Sequence, residues 1–315
     1  MKKIISATLT LAILLATLLT FTSCGKSEKI NVGVMNGPTG MGMAKLINDA
    51  GKDSELYGFH SYADPQVATA DLANGTLDML CLPTNTAANL SIKEEDFITV
   101  IAINTLGSLY LLTDANTKIE SIDELEGATI YTSVKNSTTR PILEYVLESA
   151  GVNATINDDT YADHDSLTAA IKDNEVAIAV LPEPKATAAI INNNTYSIDL
   201  NISEEWDKIS DEPLAMGCIV VRNDFLEDNK SEVDAFLEEY KKSIEYINDK
   251  ANLESSVQMI VGAGIIPKAP VAKKALGNLY GSIVYIDGAD MKSALKKFYT
   301  AIGNNQPSDE FYYEK

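Results

Sequence analysis

NVGVMNGPTGMGMAKLINDAG, residues 31–51, decides how the chain is read. A short apolar run over 31–35 breaks into Asn36-Gly37-Pro38-Thr39-Gly40-Met41-Gly42. It resumes with helical spacing at Met43, Leu46, Ile47 and Ala50, and Gly51 closes it. The spacing predicts a strand handed to a helix through a loop whose glycines let backbone approach a partner closely.

Working outward, the pattern predicts strands at 29–35, 57–62, 77–82 and 97–103 and helices at 40–50, 65–73 and 84–90. Such alternation argues for an α/β fold with mainly parallel sheets. Near Ile130 the same unit starts again about one hundred residues later. Ile130, Asn136 and Thr139 answer Ile30, Asn36 and Thr39. Leu143, Val146, Leu147 and Ala150 answer Met43, Leu46, Ile47 and Ala50, and Gly151 answers Gly51 as a left-handed cap. NGTLDMLCLP (74–83) is likewise answered by DNEVAIAVLP (173–182). A duplicated α/β unit gives two Rossmann-like lobes. If their C-terminal strand edges face each other they enclose a cleft lined by 36–42 and 133–139. From 217 onward a strand (217–224) leads into a helix with Val233, Phe236, Leu237, Tyr240, Ile244 and Ile247 on one face. Further helices at about 253–262, 268–280 and 289–302 form a helical C-terminal tail packed on the first lobe. The boundaries that follow are 29–104 plus 217–315 for lobe I and 105–216 for lobe II.

The N-terminus reads as an export signal. Lys2 and Lys3 precede an uncharged apolar stretch over 4–21, and small residues flank Cys24. Residues 1–23 are therefore expected to be a signal peptide. Cys24 is the expected lipidation site, 24–28 the tether, and the extracytoplasmic face of the cell membrane the location. Losing Lys2 and Lys3 takes the net charge from −20 to −22, and Arg140 and Arg222 are the only arginines. Acidity of this degree argues against a nucleic-acid partner, which needs a basic surface. Cys81 and Cys218 sit inside apolar runs and read as buried thiols.

Taken in order, KINVGVMNGPTGMGMAKLI (29–47), LANGTLDMLCLPTNTAANL (72–90), IESIDELEGATIYTS (119–133), LPEPKATAAI (181–190) and GCIVVRNDFLEDNKSEVDAFLEEY (217–240) resemble the solute-binding proteins of ABC importers. The branch is that serving nitrate, taurine, aliphatic sulfonates and thiamine-pyrimidine precursors. The resemblance implies a type II periplasmic-binding-protein fold and a small organic ligand, sulfonate- or aminopyrimidine-like, held between closing lobes. It also implies an ABC permease with its ATPase as partners, and a monomeric chain with no cofactor. A receptor reporting to a membrane sensor, or an extracytoplasmic enzyme on the same scaffold, is the alternative.

Within that frame the candidate ligand contacts are the first-lobe loop Asn36, Gly37, Pro38, Thr39, Gly40 and Met41. The second-lobe counterparts are Ser133, Asn136, Ser137, Thr138 and Thr139. Thr84, Asn85 and Thr86 follow the proline that ends a strand, and helix N-termini there offer unpaired N–H groups. Glu183, in the equivalent second-lobe loop, could pair with a ligand amine. His60 and Tyr62 end a strand and could reach the cleft, Tyr110 could stack on a planar ligand, and Arg140 at a helix start could bind an anion. His60 and His164 are the only histidines, and neither stands in a nucleophile-elbow or zinc-binding motif. No metal ligand cluster is evident, and NDDTYADHD (157–165) reads as a solvated acidic loop. The chain is therefore expected to bind without catalysing a reaction.

Overall fold

The computed structural model describes residues 29–133 and 137–314. The expected signal peptide, Cys24, the 24–28 tether and Asn136 lie outside the described residues.

Eleven strands form two sheets among the described residues. In chain order they are β1 (Ile30–Met35), β2 (Tyr57–Tyr62), β3 (Met79–Pro83), β4 (Ile98–Leu106), β5 (Leu109–Thr113), β6 (Thr129–Ser133), β7 (Thr155–Tyr161), β8 (Ile178–Pro182), β9 (Ser197–Asn201), β10 (Ala215–Arg222) and β11 (Ile283–Ile286). The first sheet has the order β11-β4-β10-β3-β1-β2 and the second β7-β6-β8-β5-β9. With β11 set aside, the two orders correspond strand for strand: β2-β1-β3-β10-β4 against β7-β6-β8-β5-β9. In each sheet the three strands of the repeated unit are parallel. The next strand, β10 or β5, is antiparallel to its neighbours and comes from the far side of a crossing between the sheets. The sheets are thus mixed rather than mainly parallel.

Burial explains the strand compositions. β4 (ITVIAINTL) is covered on both faces, so it reads as a nearly continuous apolar run. On helix Lys230–Asn248 the residues of one face, Val233, Phe236, Leu237, Tyr240, Ile244 and Ile247, are all buried. They join Met41, Met43 and Leu46 in the core on one side of the first sheet, each large side chain stabilising the fold by roughly 1.5–3 kcal/mol. A second core runs between the lobes. Trp206, fully buried, packs 4.8 Å from Tyr145 of the second lobe and 5.8 Å from Phe298 of helix Gly288–Ala301.

The chain crosses between sheets at Gly107-Ser108, and again between helix Ile202–Asp207 and β10. Gly107 N–H donates to the Leu214 carbonyl at 2.8 Å, which ties the two crossings together. A β-carbon on Gly107 would fall 1.8 Å from Ser203 Oγ, so no larger residue fits there without moving the backbone.

One local expectation holds and two change. Gly151 closes its helix in the left-handed conformation (φ 70°, ψ 23°). Gly51 has φ 71° but ψ 170°, so it leaves its helix directly into extended chain. The stretch 157–165 is no free loop: residues to Tyr161 belong to β7, and Asp163 with Ser166 forms a capping box that opens helix His164–Lys172. Cys81 and Cys218 are free and buried.

Candidate functional site

Where the lobes meet, the loop after β1 reaches the loop after β8. A β-carbon placed on Gly37 would lie 3.6 Å from Pro184 Cδ and 3.9 Å from the Glu183 carbonyl oxygen. Gly37 holds φ 105° and ψ −158°, a backbone conformation open in practice to glycine alone. Its carbonyl accepts the N–H groups of Gly40 and Met41, forming the turn of helix Pro38–Met41.

The remaining first-lobe candidates divide. Asn36 is exposed, and its Oδ1 accepts the Ser61 hydroxyl at 2.7 Å. Thr39 is half-buried. Its carbonyl accepts the Asn104 amide at 3.2 Å, and its methyl covers Gly217, where a β-carbon would lie 2.2 Å away. Gly40 is packed against the Met35 carbonyl, and Met41 is fully buried in the core. Met41 is therefore a packing residue and not a cleft wall. Thr84 is spent structurally: its hydroxyl donates to the Ala215 carbonyl at 2.7 Å, and its own carbonyl accepts the Tyr299 hydroxyl. Asn85 and Thr86 occupy the first turn of helix Thr84–Lys93, which starts without a side-chain cap. Among the described residues Asn85 Oδ1 is buried and makes no hydrogen bond. A buried amide oxygen without a partner costs about 1–3 kcal/mol, so this group is poised to accept a donor.

Two first-lobe expectations are corrected. His60 lies at the outer edge of the sheet, with Nε2 3.4 Å from Asn31 Oδ1. It lines a hollow of about 530 Å³ with Lys29, Lys52, Tyr57, Phe59 and Met259, away from the cleft loops. The Tyr62 hydroxyl donates to Asp71 at 2.7 Å.

In the second lobe, Ser133 ends β6 and is fully buried, its Oγ 2.7 Å from Nδ1 of His164. Burial pushes the His164 imidazole below its ordinary value, and the nearby Lys185 ammonium adds to this, so the ring is neutral near pH 7. Lys185 itself pairs with Asp165. Ser137 is half-buried, Thr138 and Thr139 are buried, and helix Thr139–Ala150 begins with no side-chain cap from Thr138. Among the described residues its first N–H groups are thus not claimed by a capping side chain. The Thr132 hydroxyl, buried beside Ser133, finds no partner among the described residues. Arg140 is not an anion site: Nε donates to Glu144 at 2.8 Å and Nη1 to Asp158 at 2.8 Å.

Glu183 and Tyr110 take roles other than the expected ligand contacts. Glu183 is 2% exposed. Oε1 accepts the Thr187 hydroxyl at 2.8 Å and the Asn278 amide at 2.7 Å, and Oε2 accepts the Thr187 N–H at 3.2 Å. Burial raises its carboxyl above the ordinary value, against the pull of those hydrogen bonds. Tyr110 is buried, and its hydroxyl donates to the Asn278 carbonyl at 2.9 Å. Asn278 ends helix Ala269–Asn278 of the first lobe, so both residues bridge the lobes. Sequence reasoning missed His164, Asn278 and Thr187. A capping box at Asp163 marked the helix start beside His164, whereas nothing in the sequence pointed to Asn278. Among the described residues no group of three His, Cys, Asp or Glu could hold a metal ion, and no helix is long and apolar enough to cross a membrane.

Comparison with known proteins gives two results. Solved structures of ABC transporter proteins share the fold across nearly the whole chain. An ABC transporter protein from Parabacteroides distasonis is 20% identical with a TM-score of 0.75, covering 91% of this chain and 99% of that one. The ligand binding component of an ABC-type import system from Staphylococcus aureus is 15% identical with a TM-score of 0.70, covering 91% and 97%. The periplasmic aliphatic sulphonate binding protein SsuA from Escherichia coli is 16% identical with a TM-score of 0.70, covering 91% and 92%. At these identities the likeness is one of fold, the type II periplasmic-binding-protein fold. No curated protein matches the chain. The second result corrects the sequence reading. The family described as Menaquinone biosynthesis matches residues 42–303, and a biosynthetic family overturns the expectation that the chain catalyses no reaction. On that match over most of its length, the chain belongs to the menaquinone biosynthesis family, carried on a type II binding-protein fold.

Proposed function

We propose that the chain captures a small organic molecule between its two lobes, as the extracytoplasmic binding component of an ABC importer held to the membrane through Cys24. The observation that carries this reading is the meeting of Gly37 with Glu183-Pro184, which brings the C-terminal edges of two matched sheets against each other. The uncapped N-termini of helices Thr84–Lys93 and Thr139–Ala150 suit an oxyanion or carbonyl end of the ligand. The unpartnered Asn85 Oδ1 suits an N–H or O–H donor on the same ligand. With Glu183 already bonded to Asn278 and Thr187, a sulfonate- or carboxylate-like molecule fits better than one needing a carboxylate partner for its amine. Lobe closure would present one shape to a permease and its ATPase, the chain acting as a monomer. A thermal-shift screen of sulfonates, aminopyrimidines, nitrate and small carboxylates tests it: a specific ligand raises the melting temperature by mass action, and no hit in any class rejects it.

A second reading, chemistry on the captured molecule, is favoured by the family match and by the Ser133–His164 pair. A neutral imidazole bonded to a hydroxyl at the cleft end of a strand can take a proton from a bound substrate or from that hydroxyl. Incubating each thermal-shift hit with the purified chain separates the readings. Turnover that is lost in both Ser133→Ala and His164→Gln supports catalysis; binding with no product supports delivery.

A further inference from the structure

We propose that Tyr110, Glu183, Thr187 and Asn278 form a latch that holds the lobes closed and sets ligand affinity without touching the ligand. The cluster joins the end of helix Ala269–Asn278 in the first lobe to the start of helix Lys185–Asn192 in the second. Asn278 contributes at both ends of its residue. Its amide donates to Glu183 Oε1 at 2.7 Å and to the Thr187 hydroxyl at 3.3 Å, and its main-chain carbonyl accepts the Tyr110 hydroxyl at 2.9 Å. That carbonyl is one of the helix's terminal acceptors with no partner inside the helix, so the bond fills an obligatory vacancy. Glu183 in turn holds the N–H and hydroxyl of Thr187 in the first turn of the second-lobe helix, which fixes its carboxylate toward Asn278.

Both bridging side chains of the second lobe are almost wholly buried, Glu183 at 2% and Tyr110 at 4% exposure. No lysine or arginine is ion-paired to Glu183 among the described residues. A buried carboxylate without a cation is sustained by hydrogen bonds, and the one from Asn278 comes from the opposite lobe. Opening the lobes breaks that bond and the one from Tyr110 together. The packing of Ala188 against the first-lobe core completes the contact. These residues are positioning residues: they fix the closed fraction, and apparent affinity follows the closed fraction for any ligand that binds the closed form.

This rests on the lobe-closure reading of the cleft, yet its test uses no ligand, so its failure would leave capture in the cleft standing. Small-angle scattering and hydrogen exchange of the 183–192 segment are measured on the full chain and its variants. Asn278→Asp sets a carboxylate against Glu183. The radius of gyration should rise, and exchange at Thr187 should quicken on the order of ten- to a hundredfold, matching loss of a hydrogen bond to a charged group. Glu183→Gln combined with Asn278→Asp swaps donor and acceptor and should restore both readouts. Tyr110→Phe, which keeps the ring and removes one bond, should give a smaller opening, and it serves if Asn278→Asp does not fold. Wild-type scattering and exchange in the folded single variants, or a double variant as open as Asn278→Asp, overturns the latch.

Discussion

Replacing Gly37 with alanine separates the two things this position does. Its φ of 105° and ψ of −158° lie in a region essentially reserved for glycine, and a side chain there is strained by about 1–3 kcal/mol. Space is a different matter. The added methyl would meet Pro184 Cδ at 3.6 Å and the Glu183 carbonyl at 3.9 Å, both ordinary van der Waals separations. Gly37→Ala should therefore lose about 1–3 kcal/mol in chemical denaturation, lowering the melting temperature by about 2–4 °C per kcal/mol. Its solution scattering should stay that of wild type, because strain is carried by the loop whether the lobes are open or shut. Gly40→Ala makes the contrast: its β-carbon would sit 2.1 Å from the Met35 carbonyl oxygen, so the loop itself must shift, and the loss should be larger. A Gly37→Ala variant within about 0.5 kcal/mol of wild type refutes the strain argument. One that opens the lobes refutes the claim that this contact has room for a methyl.

Closure should depend on acidity through Glu183. Burial holds its carboxyl above the ordinary 4.5, so the closed form binds the proton more tightly than the open, hydrated form. Closure is then favoured below pH 4.5, and that advantage is lost as pH rises through the raised value. The facing groups are Lys274 on the helix of Asn278 and the Tyr110 hydroxyl. Scattering between pH 4 and 8 should show this drift in wild type and not in Glu183→Gln; parallel curves contradict it. At the crossing, Gly107→Ala drives a β-carbon to 1.8 Å from Ser203 Oγ. It should cost about 1–3 kcal/mol in denaturant and quicken exchange across 105–110, whereas unaltered exchange would show that the crossing is not close-packed. Arg140→Leu removes the partner of Asp158, which is 6% exposed while Arg140 itself is partly in solvent, and should destabilise the second lobe by about 1–3 kcal/mol; ligand affinity in the refolded fraction should not change.

How much of this was legible in the sequence depends on the range of the interaction that decides each element. The helix face running from Val233 to Ile247, and the pairing of 74–83 with 173–182, are local patterns, and they emerge as written. The antiparallel β10 and β5 escape such reading because strand direction depends on which sheet a distant segment joins. Met41 shows the limit within a single loop. Its spacing fits a cleft or a core equally, and only the arrival of helix Lys230–Asn248 from far along the chain buries it. Glu183 and Tyr110 looked like ligand contacts because their loops suggested a cleft. Their partner, Asn278, lies 95 residues from one and 168 from the other, and a bond of that span leaves no mark on local sequence. His60 failed for the opposite reason: β2 is an edge strand, and its side chain turns to the outer hollow instead of the strand end.

The most direct measurement is a crystal structure of the chain with the strongest hit from the thermal-shift screen. The molecule should lie between the lobes, bounded by Gly37, Asn85, Ser133, Thr139 and Pro184, with a donor on Asn85 Oδ1. A molecule bound instead in the outer hollow around Lys52 and His60, with the loops at Gly37 and Pro184 empty, contradicts it.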